Sequence, residues 1–125
     1  MRLLVDTNAL LWTLIQPDRL VDEARTALTD PANDVVFSVV SAWEIAIKQA
    51  AGKLDAPDDL PEALGQQGFV PLSVTLPHAI LAGRLPRHHA DPFDRMIVAQ
   101  AVLEDFTVVT RDREFQSYGV PLLAA

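Results

Sequence analysis

The chain begins with three apolar residues in a row, Leu3-Leu4-Val5, ended by Asp6. A short uninterrupted apolar run of this kind is the pattern of a strand buried on both faces. Apolar residues then recur at helical spacing, at Leu10, Leu11, Leu14 and Ile15, and predict a helix over 8–15 that stops before Pro17. That stripe suits either a buried face or a dimer seam. A second helix is predicted over 21–28 and closed by Pro31, and the β-branched and aromatic run Val35-Val36-Phe37-Ser38 reads as strand two. Ser41 is placed to cap the next helix, with Glu44 at the capping-box position and Gly52 supplying a left-handed stop after Ala51.

The second half repeats the alternation. Pro57 and Pro61 bracket the start of a shorter helix reaching about Gln67, and the apolar run 69–74 is a third strand. Pro71 lacks an N–H to donate and marks that strand as an edge. A helix over 77–85 follows, then a loop over 86–93 carrying His88 and His89, then a helix from Asp94 to about Glu104. Residues 106–109 form strand four, Thr110 to Asp112 the turn beyond it, and 120–123 a short fifth strand. Strands alternating with helices at this spacing predict a parallel sheet covered on both faces, in the α/β class. The 125 residues, with no repeat or linker, fit one domain over 1–125.

In such sheets reactive groups gather beyond the carboxyl ends of the strands. Asp6 and Asp112 follow predicted strands, Glu44 lies on the helix after strand two, and Asp94 begins a helix. Four acids from distant parts of the chain are thus expected at one edge of the sheet. At about 5 Å and an effective dielectric of 20, each ionised pair repels by about 3 kcal/mol. Protons or cations must intervene, and hard divalent ions with oxygen ligands, Mg²⁺ or Mn²⁺, suit carboxylates. Such ions activate water and stabilise a leaving oxygen in phosphodiester cleavage. Each acid also has a structural reading: Asp94 as an N-cap, Glu44 as the partner of Ser41 in the capping box.

Bulk charge alone opposes that chemistry. The net charge is −7, whereas a nucleic-acid binder usually carries a basic footprint. The objection weakens if the acids hold cations, which present positive charge to a phosphate. No cysteine is present, so disulfides and thiolate metal sites are excluded, in keeping with a reducing compartment. No apolar stretch approaches the ~20 residues of a membrane span, and the N-terminal run is too short for a secretory signal, so a cytoplasmic location is expected.

Four segments carry a family resemblance: the run from Leu3 through Asp6-Thr7-Asn8 to Trp12; Ser41-Ala-Trp43-Glu44 to Lys48; Asp91-Pro92-Phe93-Asp94-Arg95 to Gln100; and Thr110-Arg111-Asp112. In this order they resemble the motifs of PIN-domain nucleases, most closely the VapC group, the toxin half of type II toxin–antitoxin pairs. The resemblance implies a three-layer α/β/α sandwich on a parallel sheet of four to five strands, and RNA cleavage dependent on Mg²⁺ or Mn²⁺. It makes Asp6, Glu44, Asp94 and Asp112 the catalytic acids, with Asp6, Asp94 and Asp112 as metal ligands and Glu44 ligating directly or through water. Asp91 competes with Asp94, which is favoured by its spacing to Ile97 and Ala99. A small antitoxin partner and a homodimer are further implications.

Around these acids, Asn8 and Thr110 can orient metal-bound water or serve as turn residues, and Arg95 and Arg111 can hold RNA phosphates. Arg113 is read as neutralising neighbouring acids, and Lys48 as an i,i+4 partner of Glu44. His88-His89 reads as a solvated pair, and Trp12 and Trp43 as core. Rival enzyme classes fit less well. A haloacid-dehalogenase-like phosphatase would need a second Asp where Asn8 stands, a receiver domain needs a strand-end lysine beyond Lys53, and a dinucleotide-binding fold needs a Gly-rich loop. A PIN-like scaffold that binds RNA or protein without cutting remains the non-enzyme alternative.

Overall fold

The computed structural model describes residues 1–125. Five strands, β1 (Arg2–Val5), β2 (Asp34–Ser38), β3 (Val70–Leu72), β4 (Thr107–Thr110) and β5 (Leu122–Ala124), form one sheet in the order β3-β2-β1-β4-β5. All four pairings are parallel. Between them run α1 (Thr7–Ile15), α2 (Asp22–Thr29), α3 (Val39–Ala50), α4 (Leu60–Gln66), α5 (Leu76–Arg84) and α6 (Pro92–Glu104).

The period of two along β1 divides the core. Leu3 and Val5 face one side, where they pack with Leu10 of α1, Ala24 and Leu28 of α2, Ile45 of α3 and Leu60 and Leu64 of α4. Leu4 faces the other side, against Ile97, Val98 and Ala101 of α6 and Phe115. Leu3, Leu4 and Val5 are fully buried, and each such side chain contributes roughly 1.5–3 kcal/mol relative to exposure. The expected parallel sheet with helices on both faces is therefore present. As Pro71 predicts, β3 is an edge strand, paired with β2 alone. Gly52 adopts φ 71°, the left-handed conformation expected after α3.

Two helix starts differ from the expectation. Helix α3 begins at Val39, capped by Ser38, whose hydroxyl accepts from Val40 N at 3.2 Å. Ser41 lies inside the helix and accepts a hydrogen bond from Thr7 Oγ1 at 2.9 Å, so no capping box joins it to Glu44. Helix α6 begins at Pro92, with Asp91 rather than Asp94 as its N-cap. In both cases an oxygen-bearing side chain three residues upstream meets the free N–H groups first. Two 3₁₀ turns, Pro17–Arg19 and Arg113–Tyr118, occupy segments that the pattern leaves irregular.

Candidate active site

Asp6 leaves the central strand β1 directly into α1 and is only 5% exposed. Its Oδ1 caps α1 by accepting from Ala9 N at 2.8 Å, and its Oδ2 accepts from Thr110 Oγ1 at 2.5 Å. Burial pushes its carboxyl up to about 6, which the bonds from Thr110 and Ala9 partly oppose and the charges of Asp112 and Glu44 reinforce. Thr110, itself buried at the end of β4, also accepts from Asp112 N at 3.0 Å. Its one hydroxyl therefore ties together the acids that follow the two adjacent central strands.

Glu44 lies in the second turn of α3, 7% exposed. Its Oε2 accepts from Lys48 Nζ at 2.8 Å, the i,i+4 pair expected from sequence. That bond holds the Lys48 ammonium above its usual range. With the capping-box reading removed, Lys48 is the local partner that this buried acid keeps.

Asp94 stands in the first turn of α6, at the positive end of the helix. Even so, its carboxyl is pushed up to about 7: burial is the main cause, the charges of Asp91, Asp6 and Glu44 add to it, and His89 opposes it. Asp91 is committed to the cap, its Oδ1 accepting from Phe93 N at 2.8 Å and Asp94 N at 3.2 Å. Asp112 caps the following 3₁₀ turn through Oδ1, which accepts from Glu114 N at 2.9 Å. Its Oδ2 is directed to His89.

Only half of the His88-His89 pair is solvated: His88 is exposed and His89 is not. His88 stacks edge-on against Tyr118, while the His89 side chain is only 11% exposed. Its Nε2 lies 2.9 Å from Asp112 Oδ2 and 3.0 Å from Asp94 Oδ2. The cause is local: Arg95 donates to the carbonyls of Ala82, Leu85, Pro86 and His89, and folds the loop against α5 and α6. His89 N donates to Tyr118 Oη at 2.9 Å, fixing the backbone from the other side. The sequence signal was a histidine two residues ahead of a capping aspartate, which places its ring over the helix start.

Other expected residues are placed differently. Arg95 has four of its N–H contacts on backbone carbonyls, so it shapes the loop. Arg111 donates to the carbonyls of Ala125 and Arg19 and lies over the Trp12 ring, which Arg19 also covers. Neither guanidinium is presented free to a phosphate. Asn8 is exposed on α1. Trp43 is not core: it is 61% exposed and meets Phe93 edge-on at 5.4 Å, because α3 turns that face outward beside the acids.

The donor set fits a divalent cation. Carboxylates from four separate elements share one edge of the sheet, and two of them are driven toward neutrality by burial and by neighbouring acids. A cation removes that conflict, and oxygen-only donors select a hard ion. On the outer side, His89, Asp112 and Glu114 also offer ligand atoms within 4.8 Å of one another.

Comparison with known proteins agrees with this geometry. The family model described as PIN domain matches residues 3–121. Ribonuclease VapC22 of Mycobacterium tuberculosis is 29% identical over 125 residues, covering 94% of this chain and 92% of that protein. Ribonuclease VapC16 of the same organism is 39% identical over 62 residues, 46% of this chain and 44% of that protein, so that match spans under half of the relative. Among solved structures, DNA-bound VapBC from Salmonella typhimurium superposes with a TM-score of 0.70 at 22% identity, covering 98% of this chain and 97% of that one. VapBC2 from Rickettsia felis, bound to a promoter DNA fragment, gives 0.70 at 14% identity and 98% coverage of both chains. A toxin–antitoxin complex from Klebsiella pneumoniae gives 0.63 at 21% identity, covering 97% and 95%. At these identities the structural likeness concerns the fold.

Proposed function

This chain belongs to the PIN domain family, and on that premise we propose that it is a ribonuclease dependent on Mg²⁺ or Mn²⁺, the toxin of a type II toxin–antitoxin pair. One observation carries the reading. Asp6 and Asp94 are both held well above the usual carboxylate range by burial and by neighbouring acids, a conflict that a bound cation resolves. The names of the relatives VapC22 and VapC16 support ribonuclease activity.

Asp6, Asp94 and Asp112 would hold the cation, with Glu44 beside them. When bound, the ion supplies an activated water and charge stabilisation at the scissile phosphate. The protein's own part is positioning. Thr110 fixes Asp6 and, through Asp112 N, the turn that carries Asp112. Lys48 holds Glu44 in place through Oε2, and the Asp91 cap sets the first turn of α6 and so the direction of Asp94. With Arg95 and Arg111 committed to backbone, the cations themselves become the main attraction for RNA phosphates, consistent with a net charge of −7.

The structural neighbours are toxin–antitoxin complexes, which supports a small antitoxin as partner here. An acidic protein with exposed Trp43 and Ile47 beside its acids suits a partner with a basic and apolar arm. A homodimer and a cytoplasmic location belong to the same reading. No helix is long and apolar enough to cross a membrane. The test is cleavage of end-labelled total RNA by purified protein. Cleavage supported by Mg²⁺ or Mn²⁺, abolished by EDTA and absent from Asp94→Asn is expected. Equal cleavage by the variant overturns the site.

A further inference from the structure

The histidine inside the acid cluster bridges two of the acids that would hold a cation. His89 Nε2 lies between Asp94 Oδ2 and Asp112 Oδ2, at 3.0 and 2.9 Å. Two carboxylate oxygens converging on one point are what a divalent ion needs, and here a ring nitrogen fills that point. Its other nitrogen defines the role: Nδ1 accepts from Asp91 N at 3.2 Å, so the ring proton sits on Nε2 and is shared between the two acids. In this tautomer Nε2 offers the cation no lone pair.

We propose that His89 is a built-in occupant of the metal position, a side chain that satisfies Asp94 and Asp112 before loading and must rotate out for a divalent cation to bind them. The inference rests on the metal-dependent reading above and adds to it a residue that sets metal affinity by competition. Rotation of the side chain, not movement of the loop, performs the exchange. The backbone of His89 is pinned at N by Tyr118 Oη and at O by Arg95 Nη1, at 2.9 and 3.3 Å. Tyr118 in turn donates to Pro86 O at 2.8 Å, and the edge of the His89 ring rests on Phe115, 5.9 Å between centroids. Glu114, whose carboxylate is 58% exposed, offers the Nε2–H of the displaced ring an acceptor on the outer side.

Competition of this kind divides affinity by the fraction of molecules in which the position is free. If the ring occupies the position in nine molecules of ten, removing it tightens binding about tenfold. The experiment is calorimetric titration of Mn²⁺ into metal-free wild type, His89→Ala and Asp94→Asn at one fixed pH. A two-dimensional carbon–proton spectrum of the histidine rings during Mg²⁺ titration of the wild type accompanies it. The expected result is a Kd for His89→Ala about tenfold below wild type, with the His89 ring signal moving to a new position at the wild-type Kd. Unchanged affinity, or a His89 signal that does not respond, overturns the occupant role while leaving the metal site standing. Weaker binding by His89→Ala overturns it too, by making the ring a ligand. Absence of Mn²⁺ binding in all three proteins removes the metal reading itself, and the proposal with it. The ring signal decides the question even if His89→Ala folds poorly.

Discussion

Thr110 donates its hydroxyl proton to Asp6 Oδ2 across the junction of β1 and β4, joining residues 104 positions apart in the chain. The same oxygen receives Asp112 N, so a single buried hydroxyl determines where two of the four acids point. Thr110→Val removes it at nearly constant volume and leaves a buried carboxylate oxygen and an N–H without that partner. The expected outcome is a loss of about 1–3 kcal/mol in stability and about a tenfold fall in single-turnover RNA cleavage. Because the Thr110 bond lowers the Asp6 carboxyl, its removal also shifts the acid limb of the pH–rate profile to higher pH. Thr110→Ser retains all three properties. Chemical denaturation and cleavage of a labelled RNA measure them.

Asp94→Asn separates function from stability. Cleavage is expected to fall by about three orders of magnitude, while metal-free protein becomes more stable, because burial and the charges of Asp91, Asp6 and Glu44 all oppose an ionised group at this position. The gain is a few degrees in Tm, at about 3–5 °C per kcal/mol for a chain of this size. Saturating Mn²⁺ reverses the order by stabilising the wild type alone. Differential scanning calorimetry in EDTA and in Mn²⁺ reads both halves. A variant less stable than wild type in EDTA contradicts the proposed conflict among the acids.

Much of this arrangement is legible in the sequence. The run Leu3-Leu4-Val5-Asp6 identifies the central strand and its terminal acid, because a parallel strand buried on both faces has no polar residue until it ends. Residues 106–112 repeat that logic at β4. The helix starts were less legible, since Ser38 and Ser41, or Asp91 and Asp94, are equally good caps by residue type and only backbone geometry chooses between them. His89 was missed for a different reason. Its burial depends on Arg95 gathering the carbonyls of its own loop and on Tyr118 reaching back from a distant turn, contacts that no periodicity encodes. The arginines were misread in the same way, because a guanidinium beside an acid in sequence says nothing about which carbonyls surround it in space.

The cap also gives a test of Asp91 against Asp94. Asp91 accepts from Phe93 N and Asp94 N, a role that serine fills and alanine does not. Asp91→Ala is expected to lose about 1 kcal/mol of stability and part of the cleavage rate, through the altered direction of Asp94. Asp91→Ser restores stability and keeps Mn²⁺ affinity within about twofold of wild type, a difference of under 1 kcal/mol. A collapse of Mn²⁺ affinity in the serine variant, with stability intact, identifies Asp91 as a ligand in place of Asp94.

The acids predict an unusual pH dependence of folding. Asp6 and Asp94 have native values of about 6 and about 7, against an unperturbed 3.8. Between about pH 4 and pH 7 the native state therefore binds more protons than the unfolded chain, and stability falls as pH rises through that window. His89 acts in the same direction: its native value is also raised, because the hydrogen bond it donates to Asp112 and the charges of Asp94, Asp112 and Glu114 outweigh the opposing effect of burial. Stability from all three groups is present at acid pH and is lost as each native value is passed. Metal-free protein in EDTA should thus show a urea midpoint that declines steadily from about pH 5 to pH 8, opposite to a protein whose carboxylates are stabilised by ion pairs. Asp94→Asn should flatten the upper part of the decline, since the group titrating near pH 7 is gone. Saturating Mn²⁺ should invert the slope in the wild type, because the ion binds only deprotonated acids and its stabilisation grows as they ionise. A midpoint that rises with pH in EDTA would show that the four acids are already compensated without a cation.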